Sequence, residues 1–293
     1  ARRKVADALD VRAERVVFTS GGTEANNLAL RGAQGGGRML VSAVEHDCVL
    51  ATAKVLGGEV IPVDAHGAVR PDVPEAELRK GGVGLVSVMH ANNETGVVQP
   101  VAEVAALARK YGALSHMDAV QTVGHGDVRP DVLGVDMVTF TGHKLGGPKG
   151  VGALVVRSEI QDRLTAQITG GAQERNRRAG TENVLGIVGL GAACEVAGSA
   201  DEVARMGRLM QMFVAGVAGL PVEVVAAGVE KVLHVVQLRT VGRAGSDVVI
   251  ALDVAGVAVS QGSACSSGRV QASHVLQAMG YDAVAAGEGV RVS

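Results

Sequence analysis

The sequence predicts an α/β fold in which a largely parallel β-sheet lies between helices. Short apolar runs alternate with stretches of helical periodicity, which is the pattern of repeated strand–helix units. The 41 glycines are far above ordinary usage and cluster where the apolar runs end, as expected where strands pass into loops. With 47% apolar and 20% charged residues, the 293-residue chain can form one large domain and a smaller one.

Apolar runs in the first part of the chain predict the strands of this sheet. These runs are residues 16–19, 39–42, 59–63, 83–89, 113–117, 137–140 and 151–156. Helical patterns separate most of them, the clearest at residues 101–111. Ligands bind at the carboxyl ends of the strands in such sheets, so the residues that follow each run are the candidates for a site.

Polar side chains follow three successive runs. They are Asn92 and Asn93 after run 83–89, Asp118 and Gln121 after run 113–117, and Thr141, His143 and Lys144 after run 137–140. Because the carboxyl ends of parallel strands meet at one edge, these groups are expected to lie close together. The sequence therefore predicts a binding or catalytic site at this edge.

Lys144 is the residue around which the predicted site is organised. It follows a buried run and precedes a glycine-rich loop with Pro148, among residues too small to bury it. A lysine is costly to desolvate, and taken alone it would be a surface residue in a turn. The polar residues at the neighbouring strand ends favour a functional lysine instead.

A glycine pair joins the first predicted strand to a helix at residues 25–31. Free backbone N–H groups and the helix dipole meet at Gly21 and Gly22, which suits a phosphate group, and Thr23 adds a hydroxyl. A plain turn capped by Thr23 accounts for the same residues equally well on local grounds.

A boundary near Ser199 is predicted to divide the chain into a large domain, 1–199, and a smaller α+β domain, 200–293. In the second part, strands are predicted at residues 222–225, 232–238, 257–259 and 290–292, and helices at 200–218, 246–255 and 273–279. An apolar stripe on the first of these helices predicts packing against the core. Its members are Met206, Leu209, Met210 and Phe213.

Cys265 lies in a loop of glycine and serine residues, whereas structural cysteines are usually buried among apolar side chains. An exposed cysteine on a flexible loop suits a nucleophile that must move. Cys48 and Cys194 are predicted to be packing residues. The odd number of cysteines and the absence of a CxxC pair favour a reducing, intracellular compartment over a disulfide framework or a zinc site.

Charge and hydropathy give no reason to expect a nucleic acid or a membrane as partner. The net charge is −2, and no apolar run approaches the length of a membrane span. The chain begins at Ala1 without a methionine and is expected to be a piece of a longer protein.

Several long motifs stand in a consistent order along the chain. They occupy residues 19–27, 45–46, 92–94, 118–121, 142–150, 178–181 and 262–268. With these motifs the sequence resembles the cysteine desulfurases of the NifS/IscS type, which are class V aminotransferases among the fold-type I pyridoxal phosphate (PLP) enzymes. The resemblance implies a large PLP-binding domain with a mostly parallel seven-stranded sheet, and a truncated small domain that carries the Cys265 loop. It also implies a cytoplasmic homodimer.

The resemblance implies a role for each matching residue. Lys144 would form a Schiff base with pyridoxal 5'-phosphate and act as the base at the substrate Cα. Asp118 would pair with the protonated ring nitrogen and keep the ring an electron sink. His46, a third catalytic residue beside Lys144 and Cys265, would stack on the ring. Asn93 and Gln121 would contact its substituents, Gln121 at the phenolic oxygen.

Further residues would hold the phosphate and the substrate. The implied phosphate ligands are Gly22, Thr23, Thr141 and His143. Thr181 matches a residue that reaches the phosphate of the partner subunit, which implies a homodimer. Arg291, with Asn93 beside it, would bind the substrate α-carboxylate, a natural bidentate pairing.

The implied reaction is sulfur removal from L-cysteine. The Cys265 thiolate would attack the substrate sulfur, leaving L-alanine and a Cys265 persulfide for transfer to an iron–sulfur scaffold or a sulfur-relay protein of tRNA thiolation. No resident metal is expected, although Cys265 could transiently ligate an iron–sulfur cluster. The alternatives are a selenocysteine lyase or other PLP β-lyase, and an inactive truncated relic that acts as a binding scaffold.

Some features depart from the family pattern. An N-terminal segment and the closing C-terminal strand and helices are absent, and Thr141 stands where serine is common. The segment 232–236, which contains His234, lies where the family usually carries a Pro-Asn turn. None of these departures removes an implied site residue.

Overall fold

The computed structural model describes residues 1–33, 36–262 and 272–293 of the chain. The strands are β1 (Val16–Thr19), β2 (Arg38–Ser42), β3 (Glu59–Ile61), β4 (Val83–Ser87), β5 (Leu114–Asp118), β6 (Met137–Thr141), β7 (Gly152–Val156), β8 (Val222–Val224), β9 (Val236–Thr240) and β10 (Gly289–Val292). The helices are α1 (Arg2–Asp7), α2 (Gly22–Gly32), α3 (Asp47–Val55), α4 (Asp72–Arg79), α5 (Val101–Lys110), α6 (Pro130–Leu133), α7 (Gln173–Asn176), α8 (Val184–Val196), α9 (Ala200–Val217), α10 (Gly245–Val254), α11 (His274–Ala278) and α12 (Ala283–Gly287). Single 3₁₀ segments lie at Ala13–Arg15, Gly142–Lys144 and Ser158–Arg163.

The first seven strands form one sheet in the order β1-β7-β6-β5-β4-β2-β3. Strands β6, β5, β4, β2 and β3 pair in parallel, which confirms the predicted mostly parallel seven-stranded sheet. Strand β7 runs antiparallel between β1 and β6, and Gly152 is the partner of both Thr19 and Thr141. The parallel strands place their carboxyl ends, including Asp118 and Thr141, at one edge.

Both faces of this sheet are covered, because successive strand side chains point to opposite sides. In β6, Val138 and Phe140 join one apolar cluster while Met137 joins the other. Helices α1, α5 and α8 supply the first cluster and α2 and α3 the second. Cys194 of α8 is buried in the first cluster, which confirms its predicted packing role.

Helix α5 shows why such segments fold against the sheet. Its buried residues, Val101, Val104, Ala105 and Ala108, follow the spacing that lines one face of an α-helix. Lys110 and Arg109 in the last turn lie near the negative end of the helix dipole, which they stabilise. One helix face therefore packs on the sheet while charged residues end the helix.

The later strands form a second, antiparallel sheet in the order β10-β9-β8. A third apolar cluster joins this part of the chain to the large sheet. Among its members are Val44 and Met89 from the first part and Val225, Leu276 and Met279 from the second. Arg291 of β10 also donates a hydrogen bond to the Asn93 carbonyl in the loop after β4, so β10 lies near the carboxyl edge of the large sheet. The domain boundary at residue 199 stays a prediction.

Two predictions for the second part are wrong. Residues 257–259 form no strand, because this run is short and half exposed, and the pairing that follows it is a single bridge between Ser260 and Arg291. The apolar stripe of α9 is not buried: the helix has no buried residue, and Leu209 is 49% exposed. Helical periodicity indicates an apolar face but does not identify what covers it.

No single helix among the described residues is long and apolar enough to cross a bilayer. Helices α8 and α9 are long and apolar enough only when taken together, and they are bent by 76° at the break between them.

Candidate active site

A cavity of about 370 Å³ opens at the carboxyl edge of the large sheet, where the sequence predicts a site. The predicted site residues that line it are Gly22, Thr23, His46, Asn93, Asp118, Gln121, Thr141, His143, Lys144 and Arg291. These residues lie at the starts of helices α2 and α3, at or after the carboxyl ends of strands β4, β5 and β6, and in β10 of the second sheet. We call this space the site cavity.

Two further predicted residues are Cys265 and Thr181. Cys265 lies in residues 263–271, outside the described part of the chain. Thr181 lines a separate, smaller cavity together with Arg178 and Asn183. Arg178 forms an ion pair of 2.8 Å with Glu24 in the first turn of α2, so the Thr181 loop is fixed beside the start of that helix. The predicted contact of Thr181 with a partner subunit remains a prediction.

Lys144 ends the 3₁₀ turn Gly142–Lys144 that follows β6. A side chain at Gly142 would place its Cβ 2.9 Å from the Pro148 carbonyl, so the tight turn requires glycine. The Lys144 carbonyl accepts a hydrogen bond of 2.9 Å from His125 Nε2, which fixes the backbone of the lysine. Lys144 is exposed and lines the site cavity.

Asp118 is the last residue of β5 and is only 4% exposed. Its Oδ2 accepts a hydrogen bond of 2.7 Å from Asn26, and its Oδ1 accepts one of 3.0 Å from the Val120 N–H. Burial raises the pKa of Asp118, and these hydrogen bonds and the nearby His46 oppose that rise. A buried carboxylate at a cavity wall is matched by a cationic N–H group of a bound molecule.

His46 caps α3, and its Nδ1 accepts a hydrogen bond of 3.1 Å from the Cys48 N–H. This bond assigns the proton of the neutral ring to Nε2 and fixes the plane of the imidazole at the cavity wall. A fixed aromatic face next to a buried carboxylate suits a planar, cationic ring.

The start of α2 forms an anion-binding corner of the cavity. Its N-cap, Gly21, supplies no side-chain hydrogen bond, so the first N–H groups of this 11-residue helix remain open to a ligand. A Cβ on Gly22 would lie 3.0 Å from Val120 Cγ2, so the close approach depends on glycine. Beside it, the Thr141 hydroxyl and His143 Nδ1 lie 3.2 Å apart. These groups fit a phosphate.

Arg291 brings the second sheet into the site. It lies in β10, and its Nη1 donates a hydrogen bond of 3.1 Å to the Asn93 carbonyl. Its Nε is buried without a partner among the described residues. A guanidinium with donors left over at the cavity wall suits a carboxylate.

Sequence reasoning missed further residues at the site, Asp47, Met89 and Val120 of the cavity lining among them, and five matter for its chemistry. These are Asn26, Glu45, Cys48, Glu94 and His274, of which all but Glu45 line the cavity. Glu45 and Glu94 are fully buried, and burial raises the pKa of each carboxyl. The sequence could have indicated these two residues, because Glu45 directly precedes His46 and Glu94 directly follows Asn93 in two of the motifs. Asn26 also lies in a motif, residues 19–27, but its place inside a predicted helix gave no sign that its side chain reaches Asp118.

Cys48 is predicted from sequence to be a packing residue, and the structure modifies that view. It packs on the cluster under α2 and α3, but it also lines the site cavity. Burial and the charge of Asp118 raise the pKa of its thiol to about 12. Cys48 is therefore a poor nucleophile at neutral pH.

Comparisons with known proteins show which family the chain resembles over its whole length. The family model of class-V aminotransferases matches residues 1–293. The chain is 41% identical to the cysteine desulfurase IscS of Dictyoglomus turgidum, over 95% of this chain and 74% of that protein. It is also 41% identical to the cysteine desulfurase IscS 1 of Archaeoglobus fulgidus, over 96% of this chain and 76% of that protein.

Two solved structures share the fold over the whole chain. The NifS-like protein of Rickettsia africae superposes with a TM-score of 0.88 at 31% identity and is covered over 80% of its length. SspA, solved in complex with cysteine, superposes with a TM-score of 0.86 at 30% identity and is covered over 84%. The chain therefore belongs to the class-V aminotransferase family of PLP enzymes, within its NifS/IscS-like group of cysteine desulfurases.

Proposed function

We propose that the chain is a PLP-dependent cysteine desulfurase that converts L-cysteine to L-alanine and leaves the sulfur on Cys265 as a persulfide. The observation that carries this proposal is the convergence of Lys144, Asp118, His46 and Arg291 on one cavity. Curated relatives that bear this activity in their names, and a structural neighbour solved with cysteine, support the choice of substrate.

The residues present fit pyridoxal 5'-phosphate. The anion-binding corner at Gly22, Thr23, Thr141 and His143 would hold its phosphate, and Asp118 would pair with its ring nitrogen. Lys144 Nζ would bind its aldehyde carbon. When bound, the cofactor supplies an electron sink for the carbanion formed at the substrate Cα.

The residues of the chain divide the remaining tasks. Arg291 binds the α-carboxylate of cysteine through guanidinium donors not used by Asn93. Lys144 removes the Cα proton and later returns a proton to the product. His46 and Asp118, whose side chains are fixed by hydrogen bonds, would orient the cofactor ring.

Cys265 supplies the sulfur acceptor. Its thiolate forms a new S–S bond with the substrate sulfur while the C–S bond of cysteine breaks. Cysteine and the Cys265 thiol thus give alanine and one persulfide, without an external oxidant or reductant. We further propose a cytoplasmic homodimer in which Thr181 reaches the partner's phosphate, and transfer of the sulfur to an iron–sulfur scaffold or a sulfur-relay protein.

The test compares cysteine variants after PLP has been added. Cys265→Ala is expected to keep the visible absorption of the bound cofactor and to form no persulfide or alanine from L-cysteine. Cys194→Ala, which removes a buried packing thiol, is the matched control and should retain both products. Full alanine formation by Cys265→Ala would contradict the desulfurase and favour a β-lyase.

A second measurement tests the cofactor itself. Lys144→Ala should abolish the absorption band that the unmodified chain forms with PLP, and L-cysteine should shift that band only when Lys144 is present. A folded chain that forms no such band would contradict PLP binding and favour a binding scaffold.

A further inference from the structure

Two histidines that belong to no family motif lie beside the site cavity. His125 is in the loop after β5, and His234 is in the segment that leads into β9. Their rings stack with centroids 4.0 Å apart and an angle of 26° between the planes. The stacked rings connect two parts of the chain: the loop that contains Gln121 and the second sheet.

Each ring also bonds to a residue of the proposed site. His125 Nε2 donates to the Lys144 carbonyl at 2.9 Å, and His234 Nε2 lies at hydrogen-bond range, 3.4 Å, from Gln121 Oε1. The Lys144 carbonyl can only accept, so His125 carries its proton on Nε2, and the amide oxygen of Gln121 assigns the proton of His234 to Nε2 as well. The two Nδ1 atoms are buried without a partner among the described residues.

This arrangement disfavours a second proton on the His234 ring. A second proton would add an N–H at Nδ1 that finds no acceptor among the described residues. Burial, the neighbouring ring and Lys144 lower the pKa of His234 to about 4. His234 is thus a fixed hydrogen-bond donor to Gln121 at neutral pH.

We propose that His234, braced by its stack on His125, is a positioning residue that sets the orientation of the Gln121 amide at the site. With Oε1 held by His234, the Gln121 NH₂ group is directed away from that bond and can donate to a ligand in the cavity. The ligand that this donor would serve is the phenolic oxygen of the cofactor. The inference therefore rests on the proposed PLP function.

The first test needs neither cofactor nor activity. The chain is labelled with ¹⁵N-histidine, and the ring nitrogens of His125 and His234 are assigned with His125→Gln and His234→Gln. The His234 ring is expected in the neutral Nε2–H form from about pH 6 to pH 8. An Nδ1–H or a doubly protonated His234 would overturn the inference, whether or not PLP binds.

The second test is a double-mutant cycle on PLP binding. His234→Leu should raise the PLP dissociation constant about threefold to tenfold, the range for one hydrogen bond, and raise the pH midpoint of the bound cofactor's absorption. Gln121→Ala should do the same, and the double variant should add little. His234→Gln should partly restore both values, and His66→Leu, in an exposed turn, is the matched control.

The outcomes separate the two proposals. If the unmodified chain binds no PLP, the proposed function is wrong. The ¹⁵N-histidine measurement still shows which nitrogen of His234 carries the proton and so still tests the inference. If PLP binds and His234→Leu changes nothing, or adds its full effect to Gln121→Ala, the positioning role is wrong.

Discussion

The side-chain amide of Asn26 donates a hydrogen bond of 2.7 Å to Oδ2 of Asp118. Both residues are almost fully buried, one on the helix that starts at the anion-binding corner and the other at the end of β5. The same amide lies 3.2 Å from Cys48 Sγ. Asn26 thus links the carboxylate to the two helices that flank it.

Asn26→Ala is expected to weaken PLP binding about tenfold or more, because a hydrogen bond to a buried charged group contributes about 1.5–3 kcal/mol. Without this donor the pKa of Asp118 should rise further, since the bond is one of the contacts that lower it. PLP titration followed by absorption measures the effect. Asn27→Ala on the same helix, whose amide bonds to the Thr23 carbonyl, is the control. Equal losses in both variants would mean general damage to α2.

Glu45→Gln is expected to make stability less dependent on pH on the alkaline side. Burial and the charge of Asp118 raise the pKa of Glu45 well above its usual range, against a hydrogen bond of 2.5 Å from the Met89 N–H. The folded chain therefore keeps a proton that the unfolded chain loses. Its free energy of unfolding falls as pH rises from the ordinary carboxyl pKa through the raised one.

Urea denaturation of the cofactor-free chain across that range would show the change. Glutamine keeps the acceptor for Met89 and cannot ionise, so the slope should flatten in the variant. Glu182→Gln, at an exposed position, should keep the original slope. A slope unchanged in Glu45→Gln would mean that Glu45 is ionised in the fold.

His116 should make the free energy of unfolding depend on pH in the opposite sense, with stability lost in acid. It is buried in β5 between the Ser87 hydroxyl at 2.8 Å and the Thr139 hydroxyl at 3.1 Å, and burial lowers its pKa from 6.5 to about 3. Only the unfolded chain takes up the proton between these values. Stability should fall as pH drops, by up to about 1.4 kcal/mol per pH unit.

His116→Gln should remove this part of the acid slope even if it lowers stability at neutral pH. His66→Gln, in an exposed turn, should leave the slope as it was. The test is the denaturation midpoint measured at several pH values between the two pKa values. If the loss of stability in acid persists in His116→Gln, groups other than His116 cause it.

Gly152→Ala tests the packing under the anion-binding corner. The new Cβ would lie 2.7 Å from the Gly21 carbonyl carbon and 2.8 Å from the Phe140 oxygen, both backbone atoms that cannot rotate away. We expect a loss of about 1–3 kcal/mol in stability and weaker PLP binding, because Gly21 caps α2. Thermal denaturation and PLP titration measure the two effects.

Gly216→Ala is the matched control for that variant. Gly216 lies within α9, and an added Cβ meets no atom within 4 Å. This change should stabilise the helix by about 0.5–1 kcal/mol. A Gly152→Ala chain as stable as the unmodified one would show that the sheet can spread at β7.

The residues at strand ends could be predicted from sequence, because a buried apolar run followed at once by polar residues is typical of a strand that ends at the edge of a sheet. Asp118, Thr141 and Lys144 follow this pattern, and the structure places them at one cavity. The reversed direction of β7 could not be predicted, since a fully buried strand has the same apolar pattern in either direction. Asn26 and His234 depend on contacts between distant segments, which periodicity does not encode.

The pairing of β6 with β7 limits how the proposed lysine can act. Thr141 and Gly152 are partners in the ladder, so both ends of the loop that carries Lys144 are pinned to the sheet. The backbone of Lys144 is also held by His125. Its amine nitrogen therefore moves only as far as the rotation of its own side chain allows. Insertions in this loop would displace the amine, whereas the connections that cross from one parallel strand to the next could lengthen without moving it.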